Sequence, residues 1–215
     1  MNERQRRICD ALMEKRPDLA DLYAAALGLL HEPAQEIGAR TRVAYICHSM
    51  REVMNRVLGA MGHDSAPRVR PASEKLVQQL PNLLARFPGL ELDSEGELVQ
   101  IPQAVAGALD QLIKTSVQEQ RRSRDDVASL LTDDGNADHV AVTRWIKSRG
   151  FFVKWAHLHD SDVLEDALPS DDEIRVHIDV FESLFDGVIT AFFASRHSVD
   201  ALLAELNTIM EDENG

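Results

Sequence analysis

Residues 149–160, which read RGFFVKWAHLHD, contain the side chains from which a metal site can be built. His157, His159 and Asp160 offer the imidazole and carboxylate ligands that zinc, manganese and iron accept. Residues 157 and 159 would share one side of a strand but lie about 200° apart around a helix. One hypothesis is therefore a metal-dependent hydrolase at His157, His159 and Asp160, which requires the preceding helix to end at Trp155.

Aromatic residues precede these histidines and suggest a different use of the same stretch. Arg149 followed by Gly150 is typical of a helix C-terminus, with a cation near the last carbonyls and a glycine that can adopt a left-handed conformation. The sequence predicts a helix break there. The aromatic side chains that follow would then pack into the core, with the histidines at the edge of this aromatic group. The same aromatics can instead anchor a partner protein, and the predicted interface consists of Phe151, Phe152 and Trp155.

A second group of polar residues lies in the segment that contains His48. His48, Arg51, Glu52 and Asn55 are three, four or seven residues apart, so they share one face of a helix. Arg42 stands six residues before His48. Histidine can transfer protons and arginine can bind a phosphate, so this strip can support phosphodiester chemistry without a metal.

A helical chain that carries such an Arg/His/Asn strip resembles HEPN-like bacterial toxin and defence proteins. The resemblance rests on the helical style of most of the chain and on no specific motif. It implies metal-independent cleavage of RNA, with Arg42, His48 and Arg51 as catalytic residues and with no cofactor. It also implies a dimer that brings two His48 strips together across a groove.

The charge of the chain is strongly acidic and unevenly distributed. The net charge is −13, whereas the segment Arg40–Arg70 carries six arginines against two acids. Residues 158–186 carry ten acids against Arg175. An acidic protein is a poor general binder of nucleic acid, so any RNA is expected at the Arg40–Arg70 segment. The simplest expectation is that the basic and acidic segments pair, within the chain or across a dimer.

Several familiar signatures are missing from the sequence. It has no glycine-rich phosphate loop, nucleophile elbow, HExxH or CxxC motif, which disfavours a Rossmann or other nucleotide-binding enzyme. No apolar run approaches the roughly 18–20 residues that span a bilayer, and the charged N-terminus lacks the apolar core of a signal peptide. With only Cys9 and Cys47, the composition fits a reducing compartment. A cytoplasmic protein without membrane contact is expected.

The apolar periodicity predicts an all-α fold, a compact bundle of several helices. A capping box at Ser170 and Glu173 begins a helix whose apolar residues recur at spacings of three and four. Ser123 and Ser198 are each predicted to cap a further helix. Residues 90–101 are the one strand-like stretch, a short β-hairpin or a plain loop.

The predicted organisation is an N-terminal helical lobe at 1–62, a linker at 63–73 and a main helical domain at 74–215, unless the chain forms one continuous domain. The leading hypothesis is a bacterial protein that acts through protein–protein interaction, with a protein partner or as a homodimer. It would be an accessory or regulatory component of a defence or toxin–antitoxin-like module. The ribonuclease and the metal-dependent hydrolase are the two alternatives, so the sequence leaves open whether the protein is an enzyme.

Overall fold

A computed structural model of the chain describes residues 1–31, 37–62, 69–90, 100–157 and 168–213, with side chains as far as residue 192. Seven helices and no strand occur in these ranges, which confirms the all-α prediction. The helices are α1 (Glu3–Lys15), α2 (Pro17–His31), α3 (Ala39–Ala60), α4 (Ser73–Leu84), α5 (Gln103–Leu131), α6 (Val140–Trp155) and α7 (Asp171–Glu213). The hairpin predicted at 90–101 lies, but for its ends, outside the described residues. None of the helices in the described ranges has both the length and the apolarity needed to cross a membrane.

Reciprocal capping boxes begin the first and last of these helices. At α1, the Asn2 side chain accepts from the backbone N–H of Gln5, and the Gln5 side chain accepts from the backbone N–H of Asn2, both at 2.9 Å. At α7, the Ser170 N–H donates to Glu173 Oε2 at 2.8 Å, and the Glu173 N–H donates to Ser170 Oγ at 3.2 Å. Each box satisfies donors that the first helical turn would leave unpaired, so the prediction at Ser170 is confirmed.

The chain forms two compact units, residues 1–64 with 127–215 and residues 65–126. In the first unit α1 packs against α2 and α7, α3 packs against α2 and α6, and α6 packs against α7. A single apolar core lies between them, and its largest aromatic side chains are Tyr23, Trp145, Phe152, Phe181 and Phe185. The structure thus divides the chain differently from the predicted lobe, linker and main domain, because the helices before residue 63 bury their apolar faces against helices after residue 127.

The second unit contains α4 and the part of α5 that ends at residue 126. Its buried side chains in the described ranges are Leu76, Val105 and Thr115. Ser73 joins the two helices, since its N–H donates to Glu119 Oε1 at 3.0 Å and its hydroxyl donates to Oε2 of the same carboxylate. These bonds lower the pKa of Glu119 below its ordinary value.

Three predicted helix boundaries are wrong. α6 continues through Gly150, α5 continues through Ser123, and α7 continues through Ser198. For α6 the reason lies in packing, because Trp145, Ser148 and Phe152 are buried at spacings of three and four on both sides of the glycine. Burial of an aromatic side chain outweighs the cost of about 1 kcal/mol that glycine adds to a helix interior.

Candidate functional site

The candidate site lies where the exposed side of α3 meets the C-terminal end of α6. α3 turns Ile46, Met50 and Val53 into the core, which leaves His48 exposed and Arg51 half-buried. α6 packs against α3 and ends at Trp155, so that His157 follows the helix as an exposed side chain.

One guanidinium joins two imidazoles at this place. Arg51 Nη2 lies 3.1 Å from His48 Nδ1, and Arg51 Nη1 lies 3.4 Å from His157 Nε2. Arginine only donates hydrogen bonds, so each of these ring nitrogens must be the unprotonated acceptor. The remaining nitrogen of each neutral ring then carries the proton. His48, Arg51 and His157 are called the His–Arg–His cluster below.

Glu52 fixes the position of the central arginine. Its Oε1 accepts from Arg51 Nε at 3.2 Å and from Arg51 Nη2 at 2.9 Å. Its Oε2 forms an ion pair with Arg56 Nη2 at 2.8 Å. Burial opposes ionisation of Glu52, but the hydrogen bond from Arg51 and the charges of Arg56 and Arg51 together hold its pKa below the ordinary value. The carboxylate therefore stays charged and orients the guanidinium.

This arrangement combines the groups needed for proton transfer with a group that binds anions. Two exposed imidazoles can act as acid and base, and a guanidinium held between them can bind a phosphate. The sequence placed His48 and Arg51 in one hypothesis and His157 in another, and the structure brings all three together.

Arg42 has a different environment from the one that its predicted catalytic role requires. It is 9% exposed, and its Nε donates to the Leu29 carbonyl at 2.6 Å. Its Nη1 and Nη2 donate to the two carboxylate oxygens of Asp171 at 2.8 and 3.0 Å, and Nη2 also donates to the Leu30 carbonyl at 3.2 Å. Arg42 thus ties α3 to the end of α2 and the start of α7 through these four hydrogen bonds.

Only part of the predicted metal site is described. His159 and Asp160 lie outside the described residues, so the hydrolase hypothesis stays a prediction. Within the described part of the chain, no three histidine, cysteine or acidic side chains are placed to hold a metal ion together. His157, the described member of the set, contacts Arg51.

The aromatic residues predicted as an interface pack mainly within their own chain. Phe152 is fully buried, and the Phe151 ring stacks on His177 with ring centroids 4.0 Å apart. His177 Nδ1 lies 3.0 Å from Ser148 Oγ, and burial lowers its pKa. Trp155 is half-buried, with Lys154 Nζ 4.8 Å from the centroid of its ring. Of the three residues, Phe152 is corrected to a core residue, because none of its surface is accessible to a partner.

Sequence reasoning missed a buried carboxyl group. Glu182 is fully buried on α7, where its Oε1 accepts from Gln5 Nε2 at 2.9 Å and from the Tyr23 hydroxyl at 2.8 Å. Burial raises the pKa of Glu182, and these two hydrogen bonds offset that effect only in part. A signal was present, because Glu182 lies four residues after Ile178, within the apolar stripe of the helix.

Comparisons with known proteins assign no family to the chain. No protein-family model, no curated protein and no solved structure matches it.

Proposed function

We propose that the protein is a metal-independent ribonuclease whose reacting groups are His48, Arg51 and His157. The observation that supports the proposal is the contact of one guanidinium with two exposed imidazoles, one on α3 and one that follows α6. Cleavage of RNA by its own 2′-hydroxyl requires a base, an acid and a cation near the phosphate, and these three side chains supply them.

The proposed reaction begins when Arg51 binds a non-bridging oxygen of the phosphate. One imidazole removes the proton of the neighbouring 2′-hydroxyl, whose oxygen forms a bond to phosphorus. The bond from phosphorus to the 5′-oxygen breaks, and the other histidine, as imidazolium, gives its proton to that oxygen. The products are a 2′,3′-cyclic phosphate and a 5′-hydroxyl end, and the cluster has gained one proton and lost one.

The hydrogen bonds of Arg51 support this order of events. While the guanidinium donates to both rings, both ring nitrogens must remain unprotonated. A phosphate oxygen that replaces one ring nitrogen as the acceptor of an Arg51 N–H leaves that ring able to take up a proton. Glu52 keeps Arg51 in place meanwhile through its bonds to Nε and Nη2.

The test is cleavage of a short single-stranded RNA in the presence of EDTA by the full-length protein. We expect cleavage by the wild type, and a loss of about 10²–10⁴-fold for His48→Ala and for His157→Ala, the range that general acid–base groups contribute. The matched control is His31→Ala, because His31 is also exposed but contacts the Leu27 carbonyl at the end of α2. This variant should cleave like the wild type, and a DNA of the same sequence should stay intact for lack of a 2′-hydroxyl.

Other results would contradict the proposal. A folded wild-type protein that cleaves no RNA, or a His157→Ala variant with full activity, excludes this use of the cluster. Cleavage that appears only with added zinc or manganese would favour the metal-dependent hydrolase instead.

The hypothesis of a protein-interaction component in a defence or toxin–antitoxin-like module stays a prediction. It requires that His48→Ala and His157→Ala leave function unchanged. Since Phe152 is fully buried, a partner would have to bind at the exposed parts of Phe151 and Trp155 or elsewhere.

A further inference from the structure

An apolar patch lies on the exposed side of α5, within the unit of residues 65–126. Ile113 is 62% exposed, the largest value for a large apolar residue in the described part of the chain, and Val117 is 43% exposed. The two residues are four apart and therefore adjoin on one face of the helix. Two neighbouring branched apolar side chains left in water favour burial against another surface.

Opposite charges flank this patch along the helix. Asp110 lies three residues before Ile113, Arg121 lies four residues after Val117, and both are exposed. All four residues follow the spacing of three and four that lines one helix face, here called the α5 face. The Asp110 carboxylate forms an ion pair with Lys114 Nζ at 2.7 Å. The side chains of Asp110 and Lys114 are 61% and 75% exposed, so Asp110 remains accessible.

We propose that the α5 face binds the α5 face of a second copy of the chain, with the two helices antiparallel about a two-fold axis. Along the α5 face the order is acid, apolar, apolar, base. In an antiparallel second copy this order is reversed, so that each acid faces a base and each apolar residue faces an apolar residue. Ile113 of each copy then packs against Val117 of the other, and Asp110 of each copy lies beside Arg121 of the other. A parallel arrangement would place equal charges opposite each other, which disfavours it.

The symmetry makes every contact occur twice, as in any two-fold interface. Two apolar side chains from each copy form a small contact compared with the roughly 800 Å² per partner of a standard interface. The dimer is therefore reversible and depends on concentration. The His–Arg–His cluster is complete within one chain, so this inference does not rest on the proposed ribonuclease.

The first test is the mass of the full-length protein in solution, measured by sedimentation equilibrium over a concentration series. We expect the wild type to pass from the 24.0 kDa monomer to a species of about twice that mass as the concentration rises. Ile113→Glu should stay monomeric over the same range. The matched control is Val176→Glu, because Val176 is 59% exposed on α7 and the same change there should leave the dimer intact.

A charge exchange tests the antiparallel arrangement. Asp110→Arg and Arg121→Asp should each raise the dissociation constant on the order of tenfold, because each places equal charges together at both symmetric contacts. The double variant should return to within a few-fold of the wild type. Circular dichroism of each variant checks that the helix content is unchanged.

A wild type that remains monomeric at every concentration would overturn the proposal. So would a dimer that survives Ile113→Glu. A double variant that dimerises no better than the two single variants would refute the antiparallel pairing.

Discussion

Two arginines of α3 show how burial separates a structural residue from a functional one. Arg42 is enclosed and gives its donors to a carboxylate and two backbone carbonyls, so all of its bonding serves to hold helices together. Its hydrogen bond, with the charge of the same guanidinium, holds the pKa of Asp171 below the ordinary value in spite of burial. Arg51 is half-buried and donates to two exposed imidazoles, so a ligand that binds the cluster can replace these contacts. The contacts of Arg42 are thus fixed by the packed helices, whereas those of Arg51 can be exchanged for contacts with a ligand.

Glu182 gives a prediction about stability and pH. Because its pKa is raised in the folded chain, the folded protein binds more protons than the unfolded one above the ordinary carboxyl pKa of about 4.3. The free energy of unfolding therefore falls as the pH rises above that value, until Glu182 ionises in the folded state as well.

Glu182→Gln keeps the acceptor for Tyr23 and Gln5 without the charge. We expect it to raise the free energy of unfolding at pH 8 by about 1–3 kcal/mol, the range of the desolvation penalty of a buried polar group, and to change little at pH 4.

Urea unfolding of both proteins at pH 4, 6 and 8 measures this effect. The control is Asp125→Asn, which neutralises an exposed carboxylate on α5 and should show no such gain. A Gln variant that is less stable than the wild type at pH 8 would mean that the charged form of Glu182 stabilises the fold.

The candidate site was predictable from the sequence only in part. The period of 3.6 residues places His48, Arg51 and Glu52 on one helix face, because that relation depends on α3 alone. His157 joins Arg51 across 106 residues of sequence, and that contact depends on how α6 packs on α3. Arg42 looked catalytic because its type and spacing suited a phosphate site, whereas its burial is a property of the packed core.

At the scale of elements, α6 shows that a glycine does not have to end a helix. Gly150 lies inside α6, and a Cβ added there would meet no atom within 4 Å. Gly150→Ala should therefore stabilise the protein by about 0.5–1 kcal/mol, because alanine has the higher helix propensity and restricts the unfolded chain. The change in free energy is measured by urea unfolding at fixed pH.

The matched control is the same substitution at Gly135, where φ is +67°. Alanine is strained in that conformation, so Gly135→Ala should destabilise the protein even though the space around it is open. A loss of stability in Gly150→Ala comparable to that in Gly135→Ala would contradict a continuous helix at residue 150.

The course of α7 explains why helix boundaries were harder to predict than helices. Its start was correct because a capping box is a local signal, formed by Ser170 and Glu173 within one turn. A break at Ser198 was expected because serine favours helix starts, but serine is also tolerated within a helix. The backbone is helical from Asp171 to Glu213, so a cap residue alone did not mark a boundary.

At the scale of the molecule, ion pairs within the first unit partly compensate the uneven distribution of charge. Arg42 from the basic segment binds Asp171 from the acidic one, as the charge distribution led us to expect. Arg7 on α1 binds Asp186 on α7 at 2.9 Å in the same manner. These pairs join elements that are far apart in sequence, and they place Asp171 and Asp186 beside basic residues of α3 and α1.

The two units should also differ in local stability, that is, in the free energy needed to open their helices. α3, in the first unit, has eleven buried residues, whereas Leu76 is the buried residue of α4, in the second. Local opening costs less where less apolar surface is buried, so amides of α4 should exchange with solvent deuterium more than about 100-fold faster than amides in the centre of α3. Native-state hydrogen exchange followed by mass spectrometry measures both helices in one sample. As an internal control, α7 around Phe181 and Phe185, both fully buried, should exchange as slowly as α3. Equal protection of α4 and α3 would show instead that the chain opens as one cooperative body.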